Sequence, residues 1–395
     1  MELLDKIKNI NFRRRFANRL FYLALIIEIV LMIVEKSELS FSYESYIFRV
    51  TFVLTYFSVI IADHNKKEWL LILGIWIFTF ICYRITGKND LLRFATFIMA
   101  AKNINLGKTM KATFWIELIG FLTIALMAVT GVLGSVAQAA DYGRDNAEEL
   151  RYVFGFGHPN TLWSSAFVLM LLWIWVYGSK AKLWHYLILL AIIGVLYKFT
   201  ASRTSLMIGL FMFAMAIAAR YIHRPANRKY VYMGGLIITP LLCVAFSVWA
   251  AIVSPIPRYS SKNQYEILIN RLDEFLNNRI HNLYRSNYRH SGAIDSWKLF
   301  SDRLSTEYFD MGWVRLFYWY GIIPAALVCV LVAVFIYLCY KRRDAWTLII
   351  IVSLSIYTVI EATFVSVYVG RNILIPVLGV YLAELSARDL PGNFA

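Results

Sequence analysis

Cysteine is scarce in this chain: there are four, Cys82, Cys243, Cys329 and Cys339, all inside apolar stretches. In such surroundings a thiol behaves as a small apolar side chain, so neither a disulfide framework nor a thiolate metal site is expected. Charge is also sparse, with Asp, Glu, Lys and Arg together making 16% of the residues. No Gly-rich phosphate loop, dinucleotide fingerprint or Asp-x-Asp pair occurs, which argues against a nucleotide-sugar donor and a catalytic divalent metal. No internal repeat, low-complexity linker or separable soluble domain interrupts the chain. A basic start (Lys6, Lys8, Arg13, Arg14, Arg15, Arg19) precedes the first apolar stretch, yet no small-residue cleavage site follows Val34, so an uncleaved first helix is expected.

Apolar residues, by contrast, are abundant: 59% of the chain is hydrophobic and its mean hydropathy is +0.58. A soluble chain of this length does not carry that much apolar surface, so the expectation is an all-α polytopic membrane protein. About twelve stretches could cross a hydrocarbon core as helices: 20–35, 46–62, 69–86, 88–102, 112–136, 160–178, 184–200, 204–222, 230–253, 312–339, 345–362 and 368–385. The stretch 88–102 is short and carries Arg93, so an interfacial or re-entrant helix is its alternative reading. The whole chain, 1–395, reads as one transmembrane domain with a single large extracytoplasmic loop at 254–311.

The net charge of +15 is read as topological anchors and contacts with phosphate lipids rather than as a nucleic-acid surface. Alternating the stretches puts Lys66/Lys67, Lys102/Lys108/Lys111, Lys180/Lys182, Arg220/Arg224/Arg228/Lys229 and Lys341/Arg342/Arg343 on one side. By the positive-inside rule that side is cytoplasmic, with both termini.

The opposite side holds the unusual polar residues. The long loop carries Arg258, Lys262, Arg271, Arg279, Arg285, Arg289, Lys298 and Arg303 beside His281 and His290. Within it Tyr265 to Leu283 has helical spacing, with Ile267, Leu268, Leu272, Phe275, Leu276 and Ile280 on one stripe, a candidate lid. The segment Arg151-Tyr-Val-Phe-Gly-Phe-Gly-His158-Pro159-Asn160 combines glycines that permit a tight turn with a proline suited to a helix start. A helix N-terminus there offers unpaired N–H groups to an anion, and a plain helix-capping loop is the alternative. Arg203, among Thr200, Ser202, Thr204 and Ser205, is held near the hydrocarbon boundary, where it serves either a phosphate or the interface. Glu361 and Arg371 are expected to form an ion pair, structural or chemical in purpose.

These stretches resemble the bacterial Wzy-type polysaccharide polymerases, which share a superfamily with O-antigen ligases and glycosyltransferases of the GT-C class. The resemblance runs through Arg151 to Leu162, Thr200-Ala-Ser202-Arg203-Thr204-Ser205, Phe275-Leu-Asn-Asn-Arg279-Ile, Phe309-Asp310-Met-Gly312 to Ile323, and Tyr357-Thr-Val-Ile-Glu361-Ala. It departs at Asn277-Asn278, where such proteins usually have Ser-Gly, and at Met311, where they often have Asn.

The resemblance implies a GT-C-like bundle in the bacterial cytoplasmic membrane that moves a growing glycan from undecaprenyl pyrophosphate onto a new lipid-linked repeat unit at the outer face. It also implies a flippase and a chain-length regulator as partners, and no cofactor. Such a transfer needs cations on the diphosphate and a base on the acceptor hydroxyl. The expected diphosphate clamp is Arg151, Arg203 and Arg279, with Asn160 and Arg371 as further substrate contacts. For the base, His158 stands first, His281 and His290 are alternatives, and Asp310 or Glu361 could serve or orient it. A ligase that transfers one finished glycan, and a lipid-linked oligosaccharide transporter or flippase, are the competing functions.

Overall fold

The computed structural model describes residues 2–39, 41–141, 148–222, 225–256, 263–285, 292–362 and 370–385, without the side chains of residues 2–10, 140, 141 and 148. The chain is helical apart from one small hairpin. In order come α1 (Glu2–Glu35), α2 (Glu44–Ile61), α3 (Lys66–Thr86), α4 (Asp90–Ala100), α5 (Leu106–Val129), the hairpin β1 (Ala137–Asp141) and β2 (Glu148–Tyr152), α6 (Pro159–Tyr177), α7 (Leu183–Thr200) and α8 (Arg203–Tyr221). Then follow α9 (Lys229–Leu236), a π-helical turn containing Pro240, α10 (Val244–Val253), α11 (Gln264–Phe275), α12 (Arg279–Arg285), α13 (Gly312–Tyr320), α14 (Ile322–Arg342), α15 (Ala345–Ile360) and α16 (Arg371–Leu382).

Among the described residues nine helices are long and apolar enough to cross a membrane, α9 to α10 counting as one. This is an all-α membrane protein. The other three predicted crossings contain shorter helices: α15 has 16 residues, α16 has 12 and α4 has 11. At 1.5 Å per residue, α4 is about 16 Å long, roughly half a hydrocarbon core. The predicted segment 312–339 is likewise broken, because Gly321 has φ +100° and a Cβ there would lie 2.6 Å from the Leu299 carbonyl oxygen. Only glycine tolerates both conditions, so α13 turns away from α14 at that point.

Local signals mark several helix ends. Asn65 and Glu68 form a capping box at the start of α3, and Gly87 ends it in the left-handed conformation. Along α3 and α7 large apolar side chains such as Leu70, Ile77 and Leu187 are exposed, as expected of surfaces that face lipid. Helix α15 is buried nearly all round and packs against α6, α8, α13 and α14, which makes it the central element.

Two ends of the bundle are distinguishable by their contacts. At one, the Glu38 N–H donates to the Gly155 carbonyl at 3.0 Å, Phe199 packs on Tyr152 and Phe154, and Arg371 reaches Asp90. At the other, Lys102 donates to the Asp63 carbonyl, Arg220 to the Ala181 carbonyl and Arg343 to Asn227. The predicted lid helix is two helices, and its predicted stripe holds at Leu276 and Ile280, with Leu272 half-buried. Ile267, Leu268 and Phe275 are exposed, whereas Ile269, Asp273, Leu276 and Ile280 are buried.

Candidate functional site

The break between α11 and α12 sets up the site. Asn277 and Asn278 have φ of 57° and 62°, in the left-handed region that Asn, after Gly, enters most readily. That accounts for an Asn pair at a position where a glycine would otherwise be natural. The chain then folds back, so that the Asp273 Oδ1 accepts the Ile280 N–H at 2.8 Å and the His281 N–H at 3.3 Å. Asp273 thereby satisfies donors at the start of α12 and orients its first residue, Arg279.

Arg279 is buried between two carboxylates. Its Nη2 donates to Glu361 Oε1 at 2.5 Å, and its Nε lies 3.3 Å from Asp310 Oδ2. Glu361 follows the last turn of α15 and also accepts from Asn160 Nδ2 at 2.9 Å, tying α6 to α12 and α15. The acids differ in access: the Asp310 side chain is 59% exposed and that of Glu361 is 20% exposed. Burial raises the Glu361 carboxyl, opposed by the Arg279 guanidinium. A cavity of about 510 Å³ opens here, lined by Arg279, Asp310, Asn282, Arg285, Glu307 and Tyr308 among others.

His158 caps α6. Its Nδ1 accepts the Asn160 N–H at 3.1 Å, so the neutral ring carries its proton on Nε2 and presents a donor there. Burial holds its pKa below the ordinary histidine value, with Asp310 raising it and Arg151 and Arg279 lowering it further. These fields place His158 among Arg151, Arg279 and Asp310. The preceding turn uses its glycines as expected, with Gly155 at φ 78° and Gly157 at φ 69°.

The expected arginine clamp is assembled differently. Arg151, on β2 opposite Gln138, is buried and directs Nε and Nη2 at Glu149 Oε2, at 3.0 and 2.6 Å. Arg203 opens α8 with an exposed side chain that has no hydrogen bond or ion pair among the described residues. A guanidinium buried in apolar surroundings requires a counter-charge, which is why Arg151 and Arg279 come already paired.

Glu361 and Arg371 do not pair with each other. Arg371 Nη1 lies 3.5 Å from Asp90 Oδ1, Asp90 lies 3.8 Å from Arg93, and Arg93 donates to Glu28 at 3.1 Å, giving a separate chain of alternating charges. His281 is buried and does not line the cavity. His290 lies outside the described residues, as do Arg258, Lys262 and Arg289.

Sequence reasoning missed Lys36, which is buried and lies within electrostatic reach of Glu361. Burial pushes its ammonium down to about 8. The signal was present as adjacent charges, Glu35-Lys36, at the end of the first apolar stretch. Among the described residues no group of three or more His, Cys, Asp or Glu is arranged to hold a metal ion. Comparison with protein-family models, with curated proteins and with solved structures finds no match.

Proposed function

We propose that this chain polymerises lipid-diphosphate-linked oligosaccharide repeat units, acting as a membrane glycosyltransferase on undecaprenyl-pyrophosphate-linked substrates. The reading joins the resemblance to Wzy-type polymerases with one observation: a buried guanidinium, Arg279, bracketed by Glu361 and by the exposed carboxylate of Asp310 at the rim of an open cleft. In the proposed reaction the acceptor hydroxyl oxygen forms a bond to the donor's anomeric carbon. The bond from that carbon to the lipid diphosphate breaks, and the diphosphate leaves as an anion. Asp310 takes the hydroxyl proton, because its side chain reaches the cleft while Glu361 is held by Arg279 and Asn160. His158 then serves as a hydrogen-bond donor through Nε2, since its other nitrogen is engaged in capping α6. Arg279 fixes the two acids and adds positive charge near the leaving group.

In this reading the protein lies in the bacterial cytoplasmic membrane with both termini inside and the cleft outside, and it works beside a flippase and a chain-length regulator. No divalent metal takes part, so activity in excess chelator is expected, and loss restored by Mg²⁺ or Mn²⁺ would count against the mechanism. The decisive experiment reconstitutes the purified protein in liposomes with one lipid-diphosphate-linked repeat unit and sizes the products. A ladder of multimers is expected. Movement of substrate across the bilayer without a ladder would replace the polymerase with a flippase, and single transfer to a different acceptor would replace it with a ligase.

A further inference from the structure

A second cavity, of about 450 Å³, adjoins the cleft and shares Thr306 with it. It lies under the turn between α3 and α4, and its charged lining residues are all cations: Arg84, Lys88 and Arg303. The cleft, by contrast, contains Asp310 and Glu307. The Lys88 Nζ is buried and has no hydrogen-bond partner among the described residues, and it lies 5.9 Å from the centroid of the Trp319 ring. Two acids reach it only through their fields, and both are committed elsewhere. Asp302 pairs with Lys298 and accepts from Ser305, and Asp90 faces Arg371 and Arg93. Burial accordingly lowers the Lys88 ammonium below its ordinary value. An ammonium held without acceptor oxygens is costly, and an anion placed against it would supply them.

The surroundings indicate what carries the anion. Ile77, Ile81 and Arg84 follow one another at helical spacing on α3, and Ile77 and Ile81 are exposed on the lipid-facing side. An apolar track thus runs up the outside of the bundle and ends at a basic cavity.

We propose that the cavity formed by Arg84, Lys88 and Arg303 is a subsite for a phosphate- or diphosphate-bearing headgroup, whose hydrocarbon chain lies along α3 and whose remaining substituent extends past Thr306 into the cleft. Assigning that headgroup to the lipid-linked donor rests on the polymerase reading above; binding of the anion does not. It also supplies cations that Arg151 and Arg279, already paired with acids, do not have free.

The test measures binding without turnover. Full-length protein in phosphatidylcholine nanodiscs is titrated calorimetrically with farnesyl diphosphate and with inorganic pyrophosphate. Wild type is expected to bind both, farnesyl diphosphate more tightly. Lys88→Met and Arg303→Gln should each weaken both ligands about tenfold or more, the scale of one lost charge-assisted hydrogen bond. Lys88→Arg should bind within a few-fold of wild type, and Lys180→Met, at the opposite end, should match it. Equal affinity for the two ligands with the same losses would overturn the hydrocarbon track and support a site for free phosphate groups. Unchanged affinity in Lys88→Met and Arg303→Gln, or no binding by wild type, would overturn the subsite. If Lys88→Met fails to give a monodisperse sample, Arg303→Gln and Lys88→Arg decide the matter. Intact binding in a protein that makes no ladder would overturn the polymerase reading alone.

Discussion

The two ends of the bundle both gather basic residues, and they use them in opposite ways. At the end with the short loops, cations meet backbone carbonyls: Arg13 donates to the Ile61 carbonyl, Lys102 to the Asp63 carbonyl and Arg220 to the Ala181 carbonyl. Each such contact ties a helix end or loop to a neighbouring one. At the end with the cleft, Arg279 is buried and answered by two acids from distant parts of the chain, Glu361 and Asp310. The same residue type is an anchor where water solvates it and a structural centre where water is excluded, because the cost of an unpaired charge rises steeply with burial.

The largest test of that contrast is Arg279→Ala. It strands Glu361 in the interior, so product formation should fall at least about a hundredfold and stability by about 3 kcal/mol, the low end for breaking a buried pair. Product sizing at matched expression and thermal unfolding in nanodiscs measure both, and wild-type values would dissolve the distinction between the ends. Arg279→Lys should fold and recover only part of the activity, since an ammonium cannot face both acids as a fork does.

Next comes Gly321→Ala, which probes the tight junction between α13 and α14 at the cleft end. A side chain at φ +100° against backbone 2.6 Å away should cost about 2 kcal/mol and shift α13 with the neighbouring Asp310. Unfolding temperature reads the first effect and the product ladder the second.

His158 offers a smaller and pH-dependent effect. His158→Ala removes the cap of α6 and should cost about 1 kcal/mol at pH 7.5. The folded-state pKa of His158 is depressed, so the unfolded chain binds the proton more readily. Its contribution to stability is therefore complete above the unfolded value near 6.5 and is lost as pH falls through it. His158→Gln can keep the cap without titrating, so its stability relative to wild type should improve from pH 7.5 to pH 5.5. A constant difference across that range would show that the ring does not titrate as described.

The smallest effect belongs to the other end. Arg13→Ala removes a 3.0 Å hydrogen bond from an exposed guanidinium to the Ile61 carbonyl, and the change in stability should stay within about 1 kcal/mol with product length unaltered. A loss of activity there comparable to that of Arg279→Ala would erase the comparison.

Much of the architecture is legible in the sequence. The nine long helices coincide with predicted apolar stretches, and the Gly-Phe-Gly-His-Pro turn starts α6 at the expected place. The departures have specific causes. Gly321 interrupts a stretch whose hydropathy is continuous across it, because hydropathy averages side chains and does not register a backbone conformation. Asn277 and Asn278 split a helical periodicity that continues through both positions, for the same reason. The helices α4 and α16 pack on each other, and Arg371 at the start of α16 meets Asp90 at the start of α4, a partner that a local window of residue types does not contain.

By itself, the sequence determined that this is a membrane protein, where its long helices run and which residues are costly to bury, since transfer free energies belong to each residue and add along the chain. Which charges meet was decided only in three dimensions. Glu361 pairs with Arg279 rather than with the nearby Arg371, and Arg371 finds Asp90 across 281 positions of sequence. Ion pairing depends on separations of a few ångströms, and those separations follow from how the helices pack, which no local stretch of sequence contains.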